Sequence, residues 1–168
     1  MNNENKLRWC LNKAKKELQL GKTHRGLVII SSNPLKAKAH IDKAISNLDV
    51  ADLLLENNHP DWSVIAIFYA SYHSLLAVLA NFGYESRNQE CTFSAVLNLI
   101  NENKLNIDAA KIERIKHTSE GIGQEPDLIS LREFSQYEVG TSIQMIKVKY
   151  LKKEASELIT EIREELGI

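Results

Sequence analysis

Between Trp62 and Tyr84 the chain carries no Asp, Glu, Lys or Arg, although 26% of its 168 residues are charged. A charge-free run of that length belongs where water hardly reaches. It is punctuated as a helix, with Pro60 where a first turn tolerates proline and Gly83 just past the last turn. At 1.5 Å per residue it extends roughly 33 Å, which is also enough to cross a bilayer. Its centre argues against that. Tyr69-Ala70-Ser71-Tyr72-His73-Ser74 would place hydroxyls and an imidazole in hydrocarbon, each in need of a partner. No tight basic cluster flanks either end. The run is therefore expected to be the inner helix of a soluble helical bundle, with no membrane partner.

The other segments supply the faces that would cover it. Leu7, Cys10, Leu11, Ala14 and Leu18 recur every three or four residues and predict an amphipathic helix from Asn3 to Leu20, ended by Gly21. Residues 22–32 include an apolar Gly26-Leu27-Val28-Ile29-Ile30, which is expected as a linker tucked against the core because no second strand signal stands ready to pair with it. Ser32-Asn33-Pro34 opens a second helix to about Glu56, with Ala37, Ile41, Ala44, Ile45, Leu48, Ala51 and Leu55 on one side. The short Asn57-Asn58 link makes it an antiparallel neighbour of the central helix.

Beyond Gly83, residues 84–92 read as a polar loop, with Thr92 capping a short helix from Phe93 to Ile100. A further helix carries Ile107, Ala110, Ile112 and Ile115. Another helical turn begins at Pro126-Asp127 and runs through Leu128, Ile129 and Leu131 towards Gly140. A last helix from Thr141 to Leu166 turns Ile143, Ile146, Leu151, Ala155, Leu158 and Ile162 inward. The fold class expected is all-α: an up-and-down four-helix bundle with an extra N-terminal helix and short additional helices. Residues 1–32 form the N-terminal helix and linker, and residues 33–168 the bundle.

A net charge of −1 gives no overall attraction to nucleic acid or anionic membrane, so any such binding must come from a local patch. Two cysteines, Cys10 and Cys91, make no disulfide framework and fit a reducing compartment, and the polar N-terminus lacks the apolar core of a signal peptide. A cytoplasmic location is the expectation. The five histidines, at 24, 40, 59, 73 and 117, never fall four apart on one helix, and no two cysteines have ligand spacing, so neither a metal nor another cofactor is expected. Gly121-Ile122-Gly123 lacks the preceding strand and third glycine of a phosphate loop and reads as a turn. His73 lies on the central helix, where a core histidine hydrogen-bonded to a neighbour weighs against a catalytic one. Arg87, in the polar loop, either pairs with Glu85 or Glu90 or binds a ligand. Two basic runs, Lys111, Arg114, Lys116 and His117, and Lys147, Lys149, Lys152 and Lys153, suit a solvated face or a cleft for RNA phosphates.

Phe68-Tyr69-Ala70-Ser71-Tyr72-His73-Ser74-Leu75-Leu76-Ala77, the following Gly83-Tyr84-Glu85-Ser86, and Arg132-Glu133-Phe134-Ser135-Gln136-Tyr137 resemble the HEPN domain (higher eukaryotes and prokaryotes nucleotide-binding), in its small stand-alone prokaryotic form. The resemblance covers about Pro34 to Glu165. It implies a four-helix bundle that commonly dimerises. Many members are metal-independent endoribonucleases whose arginine is followed, four to six residues on, by a histidine near the dimer cleft. Others partner a minimal nucleotidyltransferase in toxin-antitoxin pairs, or have lost activity.

Here Arg132 stands in the arginine position and Tyr137 where the histidine would be. A phenol with a pKa near 10 is a poor base at neutral pH. The resemblance therefore implies a binding module, dimeric, associated with a nucleotide or RNA and with a nucleotidyltransferase partner, using Arg132, Tyr137, Arg87 and Tyr72. The alternatives are an endoribonuclease in which Tyr137, His73 or His117 replaces the missing group beside Arg132, and a structural helical adaptor. The enzyme reading is the less favoured.

Overall fold

A computed structural model describes residues 3–115, 128–137 and 144–168. Its elements are α1 (Asn3–Gln19), β1 (Leu27–Ile29), α2 (Pro34–Glu56), α3 (Pro60–Asn81), β2 (Tyr84–Ser86), α4 (Gln89–Asn101), α5 (Ala109–Ile115), α6 (Leu128–Tyr137) and α7 (Met145–Leu166). The fold is all-α, with one two-stranded ribbon. The charge-free run forms α3 and sits at the centre, packed against α2, α4, α6, α7 and β2. It is long and apolar enough to cross a membrane, yet 72% of its most apolar window is buried inside the protein.

The polar middle of α3 is satisfied without leaving the core. Ser63 donates to the Ala51 carbonyl at 3.0 Å, Ser71 to that of Ile67 at 3.2 Å, and Ser74 to that of Ser71 at 2.7 Å. A buried hydroxyl bonded in this way avoids the penalty of an unpaired one. Pro34 opens α2, and the Asn33 side chain accepts from the Lys36 amide at 2.9 Å. Asn58, with φ of 61°, turns the chain directly into α3, so α2 and α3 form an antiparallel pair.

Four expectations are corrected. The segment at 27–29 is a strand: it pairs antiparallel with β2, Leu27 opposite Ser86 and Ile29 opposite Tyr84. The partner went unseen because Tyr84-Glu85-Ser86 is polar and short. Gly83 makes the pairing possible. Its φ is 78°, its carbonyl accepts from the Ile30 amide at 2.8 Å, and a Cβ there would meet Ile30 O at 2.8 Å. Second, Cys10 and Cys91, read as unpaired thiols, are disulfide-bonded, with Cα atoms 5.7 Å apart and both residues fully buried. Helix α1 lies across α4, closing a sequence separation of 81 that spacing alone could not reveal.

Third, α4 starts at Gln89 and is capped by Asn88, whose side chain accepts from the Cys91 amide at 3.0 Å; Thr92 points inward. Fourth, Ile146 of α7 and Leu18 of α1, expected on inward stripes, are exposed, while Val148 of α7 is buried in the core. Gly121-Ile122-Gly123, Pro126-Asp127, Gly140, Ile143, Lys116 and His117 lie outside the described residues.

Candidate functional site

Helix α6 buries Leu128, Ile129 and Leu131 against the bundle, and this seats the next residue, Arg132, on α3. The guanidinium carbon lies 4.8 Å above the centre of the Phe68 ring. Phe68 is itself stacked on Tyr72, with centroids 5.9 Å apart and planes within 10°, and meets Tyr69 edge-on. The Tyr72 hydroxyl shares a 3.1 Å hydrogen bond with Thr92 Oγ1. Burial pushes the Tyr72 phenol up, with the Thr92 bond partly opposing it. Tyr72 is thus a support beneath the arginine rather than an exposed stacking surface.

Only 14% of the Arg132 side chain is exposed. One terminal nitrogen donates to Glu133 at 2.8 Å, and the buried Nε finds no acceptor among the described residues. A guanidinium stacked on an aromatic face, with its Nε lacking an acceptor among the described residues, suits an oxyanion, since arginine keeps its charge and offers parallel N–H groups to phosphate or carboxylate.

Tyr137 does not join it. It ends α6 with its side chain in solvent, 72% exposed. Five residues on from Arg132, it stands about 140° round the helix and roughly 7.5 Å further along. His73 does not join it either. It follows Phe68 by five residues, so it faces about 140° away around α3, towards α2. There its Nδ1 lies 3.1 Å from Nδ1 of His40. Burial first, then His73 and Lys36, bring the His40 pKa down to about 4, and burial followed by Lys43 lowers that of His73. Both rings are neutral at pH 7, and the short bond needs the proton of one of them.

Arg87 belongs to this second flank. Its backbone amide donates to Gly26 O at 3.1 Å, and its Nε donates to Glu85 Oε1 at 3.0 Å. The same carboxylate is approached by His24 Nε2 at 3.2 Å and accepts from Lys36 at 3.2 Å. Burial alone would raise the Glu85 carboxyl, but the hydrogen bonds from His24, Lys36 and Arg87 outweigh it and hold the pKa at about 2. A cavity of about 190 Å³ opens here between α2, the end of α3 and β2. Of the five residues singled out in the sequence, Arg132 and Tyr72 therefore share one wall of α3, His73 and Arg87 lie on the other side, and Tyr137 stands apart. The pairing of Arg87 with Glu85, one of the readings of that loop, is present, whereas Lys36 and His40 were not singled out.

Among the described residues no group of three or more His, Cys, Asp or Glu side chains is arranged to hold a metal ion. Fold and site define a small all-α bundle domain with a stacked, partly sheltered arginine beside its central helix. The HEPN domain family matches residues 37–166, and the chain belongs to that family, whose domains are nucleotide- or RNA-associated and often ribonuclease-like. The match leaves out α1, β1 and the first turn of α2. A search of curated proteins finds no match to this chain.

Proposed function

We propose that this HEPN-domain protein is a dimeric module that binds RNA or a nucleotide through Arg132, without efficient cleavage, and that it serves a minimal nucleotidyltransferase partner in a toxin-antitoxin type of pair. The observation that carries the binding role is Arg132 itself: a cation stacked on Phe68, with a buried Nε that lacks an acceptor among the described residues. Phosphate oxygens supply the acceptor such a group needs.

Support for the non-cleaving role comes from the surroundings. In-line cleavage at a ribose needs a proton acceptor for the 2′-hydroxyl in hydrogen-bond reach. The residue in the family's histidine position is Tyr137, a phenol that stands away from Arg132. His73 is on the far flank and already bonded to His40.

Support for a second copy comes from apolar surface. Trp62 and Tyr69, seven residues apart on one side of α3, are 62% and 43% exposed, and α6 adds exposed Phe134 and Tyr137. Aromatic side chains on one face are the usual centre of a protein interface. Binding of a fluorescent single-stranded RNA, followed by anisotropy at low salt, tests the role of Arg132. Arg132→Ala is expected to weaken binding at least tenfold, and unchanged binding would remove the site. Sedimentation of the wild type and Tyr69→Glu tests the dimer: a dimer dissociated by the substitution is expected, and a wild-type monomer contradicts it.

A further inference from the structure

We infer that the cavity between Lys36, His40 and Arg87, whose β2 side is braced by the N-terminal segment, is a second anion site that receives a terminal phosphate of a nucleotide or oligonucleotide. Its walls come from three places. Lys36 and His40 are one turn apart on α2, Leu76, Leu79 and Ala80 form an apolar floor from α3, and Tyr84, Glu85, Ser86 and Arg87 close the far side. At about 190 Å³ the space is smaller than the roughly 300–1,000 Å³ that encloses a drug-sized ligand. It suits a phosphate group and its immediate attachment, with the rest of the molecule outside.

Charge and donors fit that group. Lys36 and Arg87 bring two positive charges against one carboxylate, so the cluster is net cationic. Arg87, which lines the cavity, commits Nε to Glu85 while half of its side chain stays exposed. In the His40–His73 pair, one ring must be protonated on Nδ1 and the other on Nε2, because two neutral imidazoles hold two protons and only one can lie between the facing nitrogens. A phosphate selects the arrangement in which His40 presents Nε2–H. The groups facing His40 are then His73 from α3, Lys36 from its own helix, and Tyr84, Glu85 and Arg87 from the β2 side.

The N-terminal segment sets this geometry. Lys36 precedes the family match, which begins at residue 37. β1 fixes the register of Glu85 through its pairing, Gly26 holds the Arg87 amide, and His24 holds Glu85. Gly26 can lie that close only because it has no side chain, since a Cβ would stand 2.4 Å from Cys10 O. The disulfide then ties α1 to the start of α4, two residues into the helix that follows Arg87. The family core alone supplies only part of this pocket.

The test is calorimetric and NMR titration of the full chain with inorganic phosphate, AMP, and an RNA dinucleotide with and without a 5′-phosphate. Saturable binding at this cavity, read from the His40 signals, is expected for AMP and the 5′-phosphorylated dinucleotide, but not for the 5′-hydroxyl form. The His40 imidazole signals should move while those of exposed His59 stay in place. Lys36→Gln and Arg87→Gln should each weaken binding at least tenfold, and Lys38→Gln, at an exposed lysine of the same helix paired with Asp42, should leave it unchanged. Binding of inorganic phosphate as tightly as AMP would support the anion site and assign it to the free ion. Absence of saturable binding, equal binding of the two dinucleotides, or insensitivity to Lys36→Gln and Arg87→Gln overturns the inference. The Arg132 reading is decided by single-stranded RNA binding instead, so either proposal can fail alone.

Discussion

The two sides of α3 hold their cations in opposite ways. On the α6 side, Arg132 rests on an aromatic ring, with one carboxylate neighbour from its own helix. On the α2 and β2 side, Lys36, Arg87 and His24 all converge on Glu85, a charge network with an imidazole pair beside it. The first arrangement lies wholly within the family match; the second needs residues 24–36 as well. Stacking leaves an arginine charged and under-bonded, whereas a shared carboxylate fixes positions and neutralises part of the charge. The α6 side is thus prepared for binding strength, and the other side for placement.

The largest expected effect breaks the α6 side. Phe68 is 1% exposed, and Phe68→Ala should destabilise by about 3–5 kcal/mol through cavity formation. Phe68→Leu, which keeps most of the volume, should destabilise far less yet still weaken RNA binding by removing the stacking partner of Arg132. Chemical denaturation and anisotropy on the same samples separate the two effects. If RNA affinity follows stability alone, the ring is only core.

Next comes the other side. Replacing both cysteines, Cys10→Ala with Cys91→Ala, should lower stability by about 2–4 kcal/mol, because an unbridged chain recovers loop entropy when unfolded. Amide exchange should quicken at residues 84–88 while α6 is unaffected. Equal loosening on both sides would erase the distinction drawn between them.

A smaller effect follows from pH. His40 has its pKa lowered to about 4, so below about 6.5 the unfolded chain binds a proton that the folded chain does not. Its contribution is complete above that value and declines as pH falls towards 4. Glu85, held at about 2, adds a second decline from about 4.5 downward, where the unfolded carboxyl is protonated first. Urea midpoints from pH 7 to 3 should fall in both windows, and His40→Asn should flatten the upper one. A flat wild-type profile between pH 6.5 and 4.5 would show that the pair is not neutral and buried. The smallest expected effect is at Tyr137: Tyr137→Phe should leave stability within about 0.5 kcal/mol, since the hydroxyl stands in solvent.

How much of this could be read from residues alone differs between the two sides. The central helix, its end signals, the α2–α3 hairpin and Arg132 are local or near-local features, and periodicity and punctuation expose them. The ribbon, the disulfide and the contacts of His24 and Lys36 with Glu85 join residues dozens of positions apart, with no local pattern to announce them. One long-range contact did leave a trace. The α2–α3 turn pivots near residue 57, so position 40 falls opposite position 73 just as Ala51 falls opposite Ser63. Reading that register forward brings His40 to His73. The inward faces of α1 and α7 were only partly legible, because Leu18 and Ile146 fit the helical period yet lie beyond the reach of the core.

The most direct test incubates a labelled single-stranded RNA with the wild-type chain and with Arg132→Ala, following binding and strand scission in the same tubes. Binding by the wild type without scission, and loss of that binding in the variant, is the predicted result. Efficient scission by the wild type that disappears with Arg132→Ala would contradict it, and would make this chain a ribonuclease.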